Sequence, residues 1–350
     1  MVVVKQVRYN VVMVSNRLTK RITQGRKLVL PMVVVLLTLA VLSSSDYLFD
    51  KILLPNRAQD FATLSLSIFV EAFPFLVLGS LLAAVVNTYV PAHTFEKLLP
   101  KKGVFRRAIL SLMGFLFPVC ECGNVPLARS LMIQGLKPSE AVTFLLAAPV
   151  INPVTIWATW AAFSYDQSIV VSRVAATFVI ANIIGYILSL KKREQDFLTM
   201  DFVALCDAPT KQERTTRHRA DKLSSNFTHE AFAMIKMLAF GAIVAGVVQS
   251  FVPRDILVSI GSNVILSILA MLLLAFVVSI CANVDAFFAL SFANTFTAGS
   301  IVSFLVFGPM IDIKMLALLK TTFKNELLIT ITILSLLMSA LAGLVVSYAF

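Results

Sequence analysis

The sequence predicts an all-α integral membrane protein: an inverted repeat of two helical units, each with a re-entrant hairpin and a Pro-broken helix, plus one extra N-terminal transmembrane helix. Three observations predict it. The 350 residues are 58% hydrophobic and only 14% charged, too little polar surface to coat a soluble globule, so the bilayer has to serve as solvent. Apolar runs of roughly 17–25 residues recur, each long enough to cross about 30 Å of hydrocarbon. Short sequence matches also recur at a spacing of about 160 residues. The ten-residue apolar/polar alternation of an outer-membrane barrel is missing from the sequence.

Residues 1–60 comprise a basic N-terminal segment and a first transmembrane helix at about 28–44. A cleaved signal peptide is the alternative for this run. Only Ser43 to Ser45 suggest a small-residue cleavage site, and an uncleaved span is expected. Repeat unit 1 covers 61–190, a basic cytoplasmic linker 191–226, and repeat unit 2 227–350. Four matches in the same order carry the repeat. Glu71-Ala72-Phe73 returns as Glu230-Ala231-Phe232, and 85–91 (VVNTYVP) returns as 247–253 (VVQSFVP). Cys122-Gly123-Asn124-Val125 returns as Cys281-Ala282-Asn283-Val284, and 144–152 (FLLAAPVIN) as 304–312 (FLVFGPMID).

The net charge of +11 lies in loops that flank apolar runs, which reports topology rather than nucleic-acid binding. Basic residues are dense in the N-terminal stretch, between 91 and 107, and between 191 and 228; the positive-inside tendency places all three in the cytoplasm. Three full crossings between 107 and 191 would send the last of these outside. The conflict disappears if 104–136 is a re-entrant hairpin turning at Cys120 to Pro126, with arms of about 10–15 residues that reach mid-bilayer. The matching hairpin at 257–297 turns at Cys281 to Asp285. Each unit then crosses three times, so the second runs opposite to the first. An external C-terminus and a flexible linker at 191–226 follow.

Non-helical backbone at membrane depth is tolerated only where it is buried in protein or lines a cavity. Gly123 and Pro126 mark the first hairpin tip, Pro149 and Pro153 break 139–163, and Gly308 and Pro309 break 299–319. These paired interruptions predict a central site built from helix ends; proline merely kinking the helices is the simpler alternative. Cys120, Glu121 and Cys122 at one tip and Cys281 at the other supply soft ligands for thiophilic metals and metalloids. Cys120 and Cys122 are the candidate metal ligands. A buried cysteine also serves as a small hydrophobe. Asn124 and Asn283 occupy equivalent positions in the two units, as do Asn152 and Asp312, while Asp285 answers Pro126; these residues could bind substrate or a coupling proton or cation, or simply cap helices. Glu71 is expected either to titrate during transport or to lie near the outer interface. Arg129 is expected either to pair with substrate, Glu121 or Glu140, or to snorkel to the surface. Cys206 falls in the basic linker. His93, His218 and His229 form no metal-ligand spacing, and no phosphate-binding or nucleophile–base motif is present in the sequence, so neither an enzyme nor a cofactor is expected.

Residues 118–126 (PVCECGNVP), followed by 147–153 (AAPVINP), resemble the bacterial predicted-permease family that includes organoarsenical efflux permeases. The resemblance covers about 60–340. It implies a multi-pass plasma-membrane permease that in some members exports trivalent organoarsenicals through membrane-embedded cysteines. On this resemblance Cys120 and Cys122 match the family's paired cysteines, and Gly123, Pro126, Asn152 and Pro153 its helix-breaking positions. Glu121 departs from it, standing where a small residue such as serine is expected. The expected function is therefore a secondary transporter exporting a thiophilic metal or metalloid species. The alternatives are a permease for a small organic or inorganic anion, with incidental cysteines, and a membrane thiol-redox protein using Cys120 and Cys122. The partners expected from the sequence are the lipid bilayer, a small-molecule or ion substrate and a coupling proton or cation, and not nucleic acid.

Overall fold

Long runs of Leu, Ile, Val, Ala and Phe leave backbone amides in lipid with nothing to bond but each other, and a helix satisfies them locally. The computed structural model describes residues 56–89, 99–100, 102–116, 120–191, 193–207, 216–251, 264–293 and 295–349. Among these, the chain is helical apart from turns and one isolated bridge between Leu198 and Phe323. The expected first span at 28–44 lies outside the described residues.

The chain begins with α1 (Asn56–Tyr89), α2 (Gly103–Leu112) and α3 (Glu121–Ile133), then the pair α4 (Pro138–Ala147) and α5 (Pro153–Ala162), then α6 (Gln167–Ser189). A short α7 (Met200–Asp207) precedes α8 (Thr216–Phe251). There follow α9 (Val264–Val278), α10 (Asp285–Leu290), the pair α11 (Ala298–Met310) and α12 (Ile313–Leu319), and α13 (Asn325–Ala349). Long helix, short helix, cysteine-bearing interruption, broken pair and long helix thus occur twice in order. Among the described residues, five stretches are long and apolar enough to cross a membrane: Phe61–Tyr89, Gln167–Ser189, Leu223–Val247, Ala298–Leu319 and Asn325–Ala349. This is a multi-pass helical membrane protein.

Small residues let the helices approach. A Cβ on Gly79 of α1 would fall 2.1 Å from the Gly123 carbonyl oxygen, so α1 and α3 meet backbone to backbone. A Cβ on Gly299 of α11 would likewise fall 2.1 Å from the Gly343 oxygen of α13, where Ser303 Oγ also donates to Ser339 O at 3.0 Å. Such small-residue seams are how helices associate where hydrophobic burial supplies no driving force.

The structure corrects several expectations. Gly123 and Pro126 do not form a turn, because α3 begins at Glu121 and runs through both. Pro126 removes only the hydrogen bond to the Cys122 carbonyl, and Gly123 serves the contact with α1. Gly308 and Pro309 do not break their helix either. α11 continues to Met310, and the interruption falls at Ile311-Asp312, where the Asp312 carboxylate caps α12. Pro149 and Pro153 do bracket the gap between α4 and α5, with Asn152 accepting from Val154 N at 2.9 Å as the α5 cap. The expected exit arm of the second hairpin is helical only over Asp285–Leu290. Turn-forming Ser291 bonds back to Phe288 O at 2.7 Å and ends it.

The linker is not wholly a flexible tether. Thr199 N donates to Thr322 O at 3.0 Å and Lys324 N to Phe197 O at 2.9 Å, while Leu198 and Phe202 are buried. These apolar side chains dock the segment despite its charge. The long helix of the second unit begins at Thr216, before the expected boundary at 227.

Candidate functional site

Three interruptions meet in the interior. Cys120 is the residue preceding α3, Cys281 lies in the non-helical stretch between α9 and α10, and Lys314 is the second residue of α12. One ligand atom from each of Cys120, Glu121 and Cys281 lies within 4.8 Å of the others. The Cys120 thiol also interacts with that of Cys122, so three thiols gather at one place. Cys120, Glu121, Cys122, Cys281, Asp312 and Lys314 are each at most 1% exposed.

Lys314 organises the charge. Its Nζ lies 2.8 Å from Glu121 Oε1 and 3.6 Å from Asp312 Oδ2, donates to Ser279 O at 2.9 Å and contacts Cys281 Sγ at 3.7 Å. Ser279 has φ +50°, a left-handed conformation that costs a non-glycine residue about 1–2 kcal/mol. It terminates α9 and presents its carbonyl to the ammonium. Glu71 of α1 reaches the same cluster, within interaction range of Cys281, Lys314 and Glu121.

A second buried network adjoins the first. Arg173 of α6 grips Asp285 with both Nη atoms, at 3.0 and 2.6 Å, and donates to Thr159 Oγ1 at 2.6 Å. Thr155 Oγ1 lies 2.9 Å from Pro149 O and 3.1 Å from Asn283 Oδ1 and shares its proton between them. These contacts tie α5 and α6 to the segment that carries Cys281. A third ion pair sits farther along α3, where Arg129 Nε meets Glu230 at 2.7 Å, Nη1 donates to Thr322 Oγ1 at 2.8 Å, and the guanidinium lies over the Phe202 ring at 4.5 Å. Neither Glu121 nor Glu140 is its partner. Glu140 instead pairs with Arg106 at 2.9 Å.

Of the expected site residues, the structure unites Cys120, Glu121, Cys122, Cys281 and Asp312. Asn124 is buried one turn into α3, whereas Asn152 caps α5, and Asn283 and Asp285 belong to the adjoining network. Lys314, Arg173 and Ser279 were not anticipated. The available signal was a single basic residue stranded inside an apolar run, twice. Beyond the last turn of α3, a cavity of about 1020 Å³ is lined by Gln134, Lys137, Lys191, Arg193, Glu194 and Cys206, among others. The thiols lie at the opposite end of that helix, about 20 Å away at 1.5 Å per residue over its 13 residues.

Comparison with known proteins places this geometry in context. A family model described as a predicted permease matches residues 57–348. The UPF0718 protein YcgR of Bacillus subtilis (strain 168) is 36% identical over 282 residues, 79% of this chain and 94% of its own length. A protein of Streptococcus mutans serotype c (strain ATCC 700610 / UA159), provisionally named a two-component membrane permease complex subunit, is 33% identical over 276 residues, 79% of this chain and 91% of its own. No solved structure matches the chain.

Proposed function

The chain belongs to the predicted-permease family, and from that premise we propose that it is a secondary transporter exporting a thiophilic metal or metalloid species, a trivalent organoarsenical being one such cargo, across the plasma membrane. One observation carries the reading: Cys120, Glu121 and Cys281, from two separate interruptions, converge within 4.8 Å in the buried interior. Sulfur ligands select soft cargo, and ligands drawn from two separate interruptions would let one site be exposed alternately to either side. The twofold element order is read as an inverted repeat, with the interruptions as re-entrant hairpins. The large polar cavity past α3 is then the cytoplasmic vestibule, consistent with the basic residues on that side.

The anion reading fares less well on charge. Glu71, Glu121 and Asp312 surround a single ammonium, so the cluster offers no uncompensated positive charge to an anion. A redox role would need a thiol pair working on an accessible substrate, whereas these thiols are buried.

A metal-sensitive host expressing the protein should grow better and accumulate less of at least one thiophilic toxin among trivalent arsenicals, antimonite, copper and zinc. The protection should vanish in Cys120→Ser/Cys122→Ser at equal membrane abundance. No protection by either form against any of these would shift the assignment to the anion permease.

A further inference from the structure

We infer that the groove between α8, α12 and α13 is a binding site for one anionic phospholipid, its acyl chain laid along the groove and its headgroup phosphate paired with Lys320. The site is separate from the thiol cluster and does not depend on which cargo the thiols carry.

The groove has a volume of about 470 Å³ and opens between Phe240 and Val244 of α8, Ile313 and Ala317 of α12, and Ile329 and Ile333 of α13. Its polarity is graded along its length. Of the residues that line it, only Lys320, Asn325 and Thr332 carry polar side chains, and the Thr332 hydroxyl already donates to Leu328 O of its own helix at 2.7 Å. Lys320 caps the end of α12 and Asn325 begins α13, so ammonium and amide stand together at one end and the rest is hydrocarbon. That end lies at a membrane surface, because Leu319 closes one stretch long and apolar enough to cross and Asn325 opens the next. Ile333, eight residues past Asn325, is about 12 Å deeper at 1.5 Å per residue, within the roughly 15 Å of hydrocarbon that one leaflet provides.

Phe240, Ile329 and Ile333 are each more than half exposed, at 59%, 59% and 52%, and these side chains face the bilayer. Left empty, the groove would forfeit packing on every wall, and water below Asn325 would find too few polar partners to hold it. An acyl chain of the surrounding leaflet fills it. Charge selects the headgroup. Lys320 is exposed at the mouth, and Lys324, exposed in the same turn, adds a second cation, whereas Glu326 does not line the groove. A phospholipid with net negative charge compensates these cations and a zwitterionic one does not. A second copy of the chain paired twofold on this face would instead set its own Lys320 against this one. The bound chain also lies against the back of the helix that holds Lys314. Ile313, Ala317 and Lys320 share the groove face of α12, while Lys314, Met315 and Leu318 are buried on the other side.

The test is native mass spectrometry of the purified full chain in detergent, titrated with dioleoyl phosphatidylglycerol and dioleoyl phosphatidylcholine. Wild type should retain one phosphatidylglycerol about five-fold or more tightly than phosphatidylcholine, and Lys320→Met should lose most of that preference, since one cation at the surface is worth about that factor. Thr332→Phe, which places a ring in the groove, should weaken retention of both lipids by about ten-fold. Equal retention of the two lipids by wild type, a preference undiminished in Lys320→Met, or wild-type retention in Thr332→Phe would overturn the inference. Should Thr332→Phe fail to fold, photoreactive benzoylphenylalanine in place of the exposed Ile333 decides, in vesicles of equal phosphatidylglycerol and phosphatidylcholine. An adduct mainly with phosphatidylglycerol supports the inference. Equal adducts with both lipids, or a cross-link to residues 28–44 or to a second copy, would mean that something else fills the groove and would overturn it.

Discussion

Transport of a thiophilic cargo by the reconstituted protein is expected to fall at least about a hundred-fold when Cys120 and Cys281 are both replaced by serine, because the change removes two of the three thiols at the cluster and leaves Cys122 as its one soft ligand. Serine matches cysteine in shape, and the two thiols sit at interruptions rather than inside a helix. The fold should therefore survive, and an unchanged unfolding midpoint would separate loss of ligation from loss of structure. Replacing Cys120 alone leaves Cys122 and Cys281 at the cluster, so the single change should cost less, about ten-fold. Flux measured in proteoliposomes decides both points. A double variant that transports at the wild-type rate would place the cargo elsewhere.

The largest effect on stability belongs to Arg173. Its guanidinium is 1% exposed and holds Asp285 by two hydrogen bonds of 3.0 and 2.6 Å. Arg173→Met strands the Asp285 carboxylate in the interior, and breaking a buried pair from one side costs about 3–5 kcal/mol. Asp285→Asn should be destabilising in the same direction. Combining Arg173→Met with Asp285→Leu removes both charges and should recover most of the loss, since the desolvation cost of the pair is itself large. Chemical unfolding in detergent measures each step of this cycle. Additive losses would mean that the two side chains act independently, contrary to the contact geometry.

Much of the architecture was legible because composition and proline placement act locally. Apolar runs dictate helices, Pro149 and Pro153 bracket a real gap, and Asn152 and Asp312, aligned by the repeat alone, each cap the helix that follows. The repeat aligned Cys281 with Cys122 and put it at the tip matching the one that carries Cys120 and Cys122. Gly123, Pro126, Gly308 and Pro309 misled because a helix tolerates the loss of one hydrogen bond when tertiary packing holds it, and because Gly123 answers to a contact with α1. The linker misled because its charges outnumber Phe197, Leu198 and Phe202, yet those few side chains set its position. Lys314 and Arg173 were illegible for a different reason. Each finds its partner on a distant part of the chain, Glu121 and Asp285 respectively, and a lone basic residue in an apolar run carries no mark of where that partner lies.

X-ray absorption at the metal edge of the zinc- or cadmium-loaded full-length protein tests the thiol site most directly. With zinc, at least two sulfur scatterers at about 2.3 Å are expected in wild type, and they should fall to at most one, from Cys122, in Cys120→Ser/Cys281→Ser. A first shell of nitrogen and oxygen alone in the wild-type protein, or a sulfur shell undiminished by the double substitution, would contradict the assignment of the buried cysteines as the cargo site.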